Sequence, residues 1–417
     1  MSSNYIYGID FGTSTSVISI LNKNTKKIAH TFSQNSVIYF QDAQHHYIGK
    51  EAIDQYLSND MKGRLLKSIK TLLPQSAFTF TYIFGKKYSA EDLVCLILKC
   101  LKEKADALVG EEITEVVLGR PVVFSEEEFK DQLAEKRLWN AARKAGFNKI
   151  WLQYEPIAAG FLYEQTLEKP ELVLIGDIGG GTTDFTLMRL DKYNAMDINR
   201  QQDIIKSGGL HTGGDDFDAA IMWHKLVKHF GYGLQYESNG KMLDLPVHIF
   251  RTLCEWEQMA FLKEGKIRKQ LDNYYQYTNN NEALNRLRKL IDENLGFALF
   301  QTIEQTKIDL SLEKEVELRF DKASLMLSEN ISIEAFNEII QKDIEDIERF
   351  LIKFVKDSNV EISDIKNVFI TGGASSVEAI QEVFIRLFSK EKIHSGDNFN
   401  SVAQGLALSY YYLHDQE

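Results

Sequence analysis

Proline is scarce in this chain, at 5 of 417 residues, and cysteine is scarcer still, at 3. So little proline, with no Gly/Ser-rich stretch, rules out a tether between bead-like domains; any lobes must run directly into one another. Three cysteines (Cys95, Cys100 and Cys254) are an odd number without metal-ligand spacing, which excludes a disulfide framework and a zinc site. Cys95 and Cys100 fall in an apolar run and read as small buried thiols. No apolar run approaches the roughly 20 residues that span a bilayer. Strand-like patterning begins by Tyr5 and leaves no room for a signal peptide, so a reducing cytoplasmic setting is expected, with no membrane partner. Positive charge is also short: 48 Lys and Arg stand against 60 Asp and Glu, a net charge of −12. Such a chain repels phosphate backbones and shows no compensating basic patch, so no nucleic-acid partner is expected. An anionic ligand would have to be held by backbone N–H groups, hydroxyls and a divalent cation.

What is present is the balance of a folded protein, with 44% hydrophobic and 26% charged residues. The length exceeds one ordinary core and implies two lobes. Tyr5–Ile20 reads as two β-runs around a tight Gly-containing turn. Residues 37–87 are less regular and suggest a small inserted subdomain. A helical pattern runs from Ser89 through Lys104, then a strand over Glu115–Gly119. Ser125 stands three residues before Glu128, a capping-box start for a helix running to about Ala145, with Gly146 as its stop. A strand at Lys149–Tyr154 leads into a helix whose Ala158, Ala159 and Gly160 permit close packing. The order predicts an α/β domain.

At Glu171 the pattern restarts. Glu171–Leu190 is again a β-run, an Asp, a Gly-rich turn with hydroxyls, and a second β-run. An internal duplication follows, with two related lobes facing one another. The expected division is lobe I over 1–168 (core 1–36 and 88–168, insertion 37–87) and lobe II over 169–397 (core 169–212 and 315–397, a largely helical insertion 213–314). A helix at 398–417 returns to lobe I. Later expectations are a helix over Ile333–Lys356, a strand over Asn367–Thr371 and a closing helix over Val402–Leu413.

The two turns carry the strongest chemistry. In Asp10-Phe11-Gly12-Thr13-Ser14-Thr15 the glycine permits a tight hairpin, so backbone and hydroxyls can approach a phosphate, and Asp10 can bind the waters of Mg²⁺. Asp177-Ile178-Gly179-Gly180-Gly181-Thr182-Thr183-Asp184 supplies the same parts from the other lobe. Either turn alone could be an ordinary β-turn; the pair predicts a clamp on a nucleoside triphosphate. No Gly-Lys-Ser/Thr follows, so this is not a Walker A loop.

GIDFGTSTS resembles the first phosphate motif of the actin-like ATPase superfamily, and DIGGGTTDF resembles its second. YEPIAAG is similar to the connecting motif of DnaK-type (heat-shock protein 70) chaperones, FITGGAS to their adenosine motif, and LHTGGDDFD to a further segment of theirs. Short chaperone-like proteins of the YegD type also carry the GRP turn, the QYEP connection and an E-x-x-K-I helix. The resemblance covers nearly the whole chain. It implies the actin-like ATPase (ribonuclease H-like) fold, a nucleotide cleft, ATP or ADP with Mg²⁺, and slow hydrolysis of ATP to ADP and phosphate.

Role by role, the resemblance implies that Asp10, Asp177 and Glu155 hold Mg²⁺ through water, and that Asp177 orients or deprotonates the attacking water. Glu155 could otherwise be a solvated loop carboxylate. Gly12, Thr13, Ser14, Gly179, Gly180, Gly181, Thr182 and Thr183 would surround the phosphates, with Thr182 also serving catalysis. Asp184 resembles a monovalent-cation (K⁺) ligand. Lys70 matches the family's catalytic lysine; alternatively Arg64, Lys67 and Lys70 form a solvated helix face. Gly213, Gly214 and Asp215 belong to one wall of the nucleoside site, and Gly372, Gly373, Ala374 and Ser376 to the other. Glu304, Lys307 and Ser311 complete it, Glu304 and Lys307 reaching the ribose or forming a surface ion pair.

The chain departs from the chaperone pattern where two arginines bracket adenine: it has Ile308 and Ser376. Losing that stacking removes about 1–2 kcal/mol of base binding. The sequence ends soon after the closing helix, so no peptide-binding domain is expected, and an unidentified protein partner or client would read the nucleotide state. A filament-forming actin-like protein and a small-molecule kinase of the same superfamily are the alternative readings.

Overall fold

The opening strand β1 (Tyr5–Phe11) pairs antiparallel with β2 (Thr15–Asn22), and β2 pairs antiparallel with β3 (Lys27–Asn35). On its other side β1 runs parallel to β4 (Glu115–Arg120), which runs parallel to β5 (Lys149–Tyr154). The second half repeats this plan. Strand β6 (Glu171–Ile178) is antiparallel to β7 (Thr183–Leu190), which pairs with β8 (Ile204–Leu210). Parallel to β6 runs β9 (Asn367–Thr371), followed by β10 (Ile393–Ser395). Both sheets have five strands in the same relative order and direction. This is a duplicated α/β architecture. The computed structural model describes residues 3–59, 61–164, 166–191, 200–238, 240–255, 258–259, 262, 265–322, 324–395 and 399–413. The expected boundary at 397/398 and the last residues of the expected C-terminal helix lie outside them.

Each strand pair beside a glycine turn is apolar on both faces, because helices cover both. In lobe I, α1 (Ala90–Val109) packs on α2 (Glu128–Lys144) and buries Leu93, Ile97, Leu101, Leu138 and Ala141 against Ile9, Ile18 and Val116. A Ser89–Asp92 capping box starts α1, and Gly110, in the left-handed region, ends it, five residues beyond the expected stop. The expected capping box of α2 does not form. Glu127 is its N-cap residue and accepts no side-chain bond, while Ser125 Oγ instead accepts from Glu127 N at 3.3 Å. Cys95 and Cys100 are half-buried rather than buried; Cys254 is buried.

Helix α3 (Glu155–Glu164) stands between the sheets. Ile157 packs with Val173, Ile175 and Leu190 of the second sheet, whereas Ala158 packs with Val117 of the first and with the final helix α8 (Phe399–Leu413). The small residues are required for this. A β-carbon at Gly160 would lie 3.0 Å from Leu190, and one at Gly405 would lie 2.0 Å from Ala158 O. A β-carbon at Gly8 would meet Ala403 O at 2.3 Å, so α8 lies directly on β1.

Between β8 and β9 the chain forms α4 (Gly214–Ile221), a 235–244 hairpin, helices at Gly265–Tyr277 and Glu282–Asp292, then α5 (Gly296–Asp309). A long hairpin over 315–332, which the sequence did not announce, precedes α6 (Ile333–Lys356) and α7 (Glu378–Phe388). Residues 37–87 hold a helix at Lys50–Ser58 and short strands. This segment reaches the other half: Tyr56 meets Phe297 edge-on at 5.7 Å, and Met61 joins the second hydrophobic core.

Candidate functional site

The two glycine turns meet at one cleft. In the first, Gly12 leaves room for Thr15 O, which would lie 2.1 Å from a β-carbon. Ser36 then ties the turn down, its N donating to Ser14 O and its Oγ to Gly12 O, both at 2.8 Å. In the second, Gly179 N donates to Thr182 O at 2.8 Å. Gly214 N and Asp215 N, at the start of α4, donate to Gly179 O (3.0 Å) and Gly180 O (2.7 Å). Thr183 Oγ1 donates to Thr212 O at 2.8 Å. Across the gap, a β-carbon at Gly180 would come within 2.8 Å of Ser14 Oγ and 3.1 Å of Asp215 Oδ1. Thr13, Ser14, Gly179, Gly180, Gly181 and Thr182 line the same opening, each half-exposed.

Carboxylates gather beneath these turns. Asp10 is near the end of β1, and Asp177 occupies the corresponding place in β6, opposite Asp184 of β7 and beside Thr371 of β9. Gly372, with φ of 89°, presses close enough that a β-carbon would fall 2.5 Å from Asp177 Oδ1. Thr182 Oγ1 donates to Asp184 Oδ2 at 3.0 Å. Glu155 opens α3, where the helix N-terminus favours its charge. Lys70 Nζ donates to Glu155 Oε1 at 3.0 Å.

Burial, then Glu155 and Asp177, push Asp10 up to about 8 against the pull of Lys70. Burial, then Asp184 and Glu155, push Asp177 up to about 6, although the residue as a whole is exposed. Burial also raises Asp184, opposed by the Thr182 hydroxyl and by Lys70. Burial pulls Lys70 down, but Glu155, Asp10 and Asp177 outweigh it and keep the ammonium charged. Four carboxylates around one ammonium leave surplus negative charge, and hard oxygen donors suit Mg²⁺. Among the described residues no group of three or more His, Cys, Asp or Glu is placed to hold a metal ion directly.

A family model described as Hsp70 protein matches residues 68–244 and 269–415, most of the chain. The chain belongs to the Hsp70 family. It is similar to the chaperone protein DnaK of Thermus thermophilus, at 25% identity over 96% of this chain and 60% of the relative. The DnaK proteins of Mycoplasmopsis agalactiae (24%, over 98% and 58%) and Thermosipho melanesiensis (25%, over 99% and 60%) are similar too. The chain thus spans about 60% of the length of these curated relatives. The duplicated sheets are those of the actin-like ATPase fold that the family shares.

In this Hsp70-family chain the residues expected at the nucleoside wall are placed as follows. Lys307 turns inward: its Nζ donates to Gly214 O at 2.8 Å and lies 2.9 Å from both carboxylate oxygens of Asp218. Glu304 stays exposed, so the surface pair between them does not form. A β-carbon at Gly214 would stand 3.2 Å from Lys307 Nζ and 3.4 Å from Ala374, so those three converge. Gly213, also adjoining Gly180 O, starts α4. Gly373, Ala374 and Ser376 form one short turn after Gly372, with Ser376 exposed. Ser311 is half-buried just beyond α5, and Ile308 is exposed.

The expected helix face of Arg64, Lys67 and Lys70 does not exist. Arg64 lies in a short strand and Lys70 in a 3-10 turn, Ile69–Leu72, with its side chain only 15% exposed. Sequence reasoning missed Ser36, which no local motif marks, and gave no role to Asp218 or Thr371, although they fall within the segments LHTGGDDFD and FITGGAS. No described helix is long and apolar enough to cross a membrane.

Proposed function

We propose that this chain binds ATP and ADP with Mg²⁺ in the cleft between the two sheets, and hydrolyses ATP slowly. The observation that carries this reading is the closeness of Ser14 and Gly180 above a ring of carboxylates around Lys70. Hydroxyls and backbone of residues 12–14 and 179–183 surround the triphosphate. Asp10, Asp177 and Glu155 hold the hydrated Mg²⁺, and Asp184 a monovalent cation such as K⁺. When bound, Mg²⁺ neutralises phosphate charge. Asp177, whose carboxyl its surroundings raise to about 6, orients or deprotonates the attacking water. Lys70, kept charged by Glu155, stabilises negative charge developing at the terminal phosphate. Gly214, Gly372–Ser376, Glu304, Lys307 and Ser311 form the nucleoside walls, with reduced base stacking at Ile308 and Ser376.

Binding draws the two halves together and product release lets them part, which presents different surfaces to an unidentified protein partner or client in the cytoplasm. The chaperone-like role is supported by the family membership. Calorimetry with Mg·ATP and a phosphate-release assay test the reading. Asp10→Asn is expected to slow hydrolysis by about 100-fold and to weaken the Mg²⁺ dependence; unchanged binding and turnover in that variant would dispose of the metal role.

A further inference from the structure

Arg137 lies in α2, away from the carboxylate ring, and is 8% exposed. Its guanidinium holds one stretch of backbone. Nη1 donates to Leu72 O (3.1 Å), Leu73 O (3.0 Å) and Gln75 O (3.0 Å), and Nη2 donates to Phe78 O (2.8 Å). Glu91 is 3.9 Å from Nε. The gripped stretch starts at the C-terminal end of the 3-10 turn Ile69–Leu72; Leu72 O and Gln75 O also accept from Gln75 N (3.2 Å) and Phe78 N (3.1 Å), so Arg137 adds a second, charged donor to an already turned backbone. A planar fork reaches these four carbonyls from two nitrogens in fixed geometry, whereas an ammonium offers its three donors from a single point.

That turn carries Lys70. Ile69 and Leu73 are anchored in the first core at 1% and 0% exposure. The entry at Ser68 is left-handed, φ 54°, and no side chain caps it. The exit is thus the end fastened by a charge, and it fixes the backbone from which Lys70 reaches Glu155. We infer that Arg137 is a positioning residue for Lys70: its grip on residues 72–78 sets where the Lys70 ammonium stands in the cleft. This rests on the hydrolytic role proposed for Lys70.

The test uses the full chain, with Arg137→Lys, Lys70→Met and the double variant, measuring ATP affinity by calorimetry and hydrolysis by single turnover. Arg137→Lys keeps the charge and loses the fork. It is expected to slow hydrolysis about 10-fold while ATP affinity stays within about 2-fold, and to cost nothing further when Lys70 is already Met. Guanidinium added to Arg137→Ala at a sub-denaturing concentration is expected to restore part of the rate. Equal slowing in both backgrounds, affinity falling in step with rate, or an unchanged rate beside a slow Lys70→Met would each overturn the inference alone. A wild type without hydrolysis, or a Lys70→Met variant as fast as wild type, would instead remove the hydrolytic reading, and this inference with it.

Discussion

Ser14 and Gly180, on turns from opposite sheets, stand so close that one added methyl at Gly180 would fall 2.8 Å from the serine Oγ. The obstructed atom is the end of a side chain that can rotate, so the fold should survive Gly180→Ala. The hydroxyl would be turned from its place, and nucleotide affinity is expected to fall about 10-fold, roughly 1.4 kcal/mol. Calorimetry beside a thermal melt checks this. An unaltered affinity would argue against a phosphate contact by Ser14.

Glu155 pairs with Lys70 at 3.0 Å, and this contact would join the proposed Mg²⁺ site to the lysine. Glu155→Gln keeps its shape and removes its charge. The Mg²⁺ concentration for half-maximal hydrolysis should rise about 10-fold, and chelation of Mg²⁺ should abolish hydrolysis in both proteins. Titrating Mg²⁺ at fixed ATP reads out both effects.

Asp218 provides a pH test away from the proposed Mg²⁺ site. Burial raises its carboxyl from the usual 3.8 to about 7, with Lys307 opposing and Glu304 and Asp215 assisting. Between those values the folded state binds more protons than the unfolded one. The contribution is present at acid pH and lost as pH climbs through about 7. Asp218→Asn cannot titrate, so the melting temperature of wild type relative to this variant should decline by a few degrees from pH 5 to pH 8. A constant difference would show that Asp218 is charged throughout.

Tyr56 and Phe297 touch across the cleft at 5.7 Å between ring centres. Aromatic pairs of this kind contribute about 0.5–1.5 kcal/mol. Tyr56→Ala should speed release of a fluorescent nucleotide several-fold in stopped flow while hydrolysis in a single turnover stays near wild type. A release rate equal to wild type would show that the contact does not restrain opening.

Gly405→Ala should be the most damaging stability change. Its β-carbon would lie 2.0 Å from Ala158 O, a backbone atom that cannot rotate away. A loss of about 2–4 kcal/mol is expected, read as a lower midpoint in denaturant.

Much of this was legible in the sequence because the cleft is built from local patterns. The β-runs beside Asp10 and Asp177 are apolar and β-branched, and the turns between them need glycine. Both sheets and the facing of the turns followed from that repeat. Strand β3 escaped notice because it is an edge strand with mostly polar, exposed residues. At Lys70 spacing left two readings open, because three basic residues three apart imitate a helix face, although Arg64 stands in a strand and Lys70 in a 3-10 turn. The Ser125 signal failed because the pattern of a capping box does not fix which residue begins the helix. Arg137 was hidden for another reason: it is an ordinary charged helix residue until its neighbours in space are known, and Asp218, although inside LHTGGDDFD, shows its tie to Lys307 only in the fold.

The packing of α8 has a mechanical corollary. With Gly405 seated on Ala158 and Gly8 under Ala403, the last described helix, the first strand and the helix headed by Glu155 behave as a single stiff plate. Asp10 and Glu155 therefore cannot drift apart independently. The helix headed by Glu155 also rests on the second sheet, where Gly160 meets Leu190, so the spacing of Asp10 and Glu155 is set by packing before any ligand arrives.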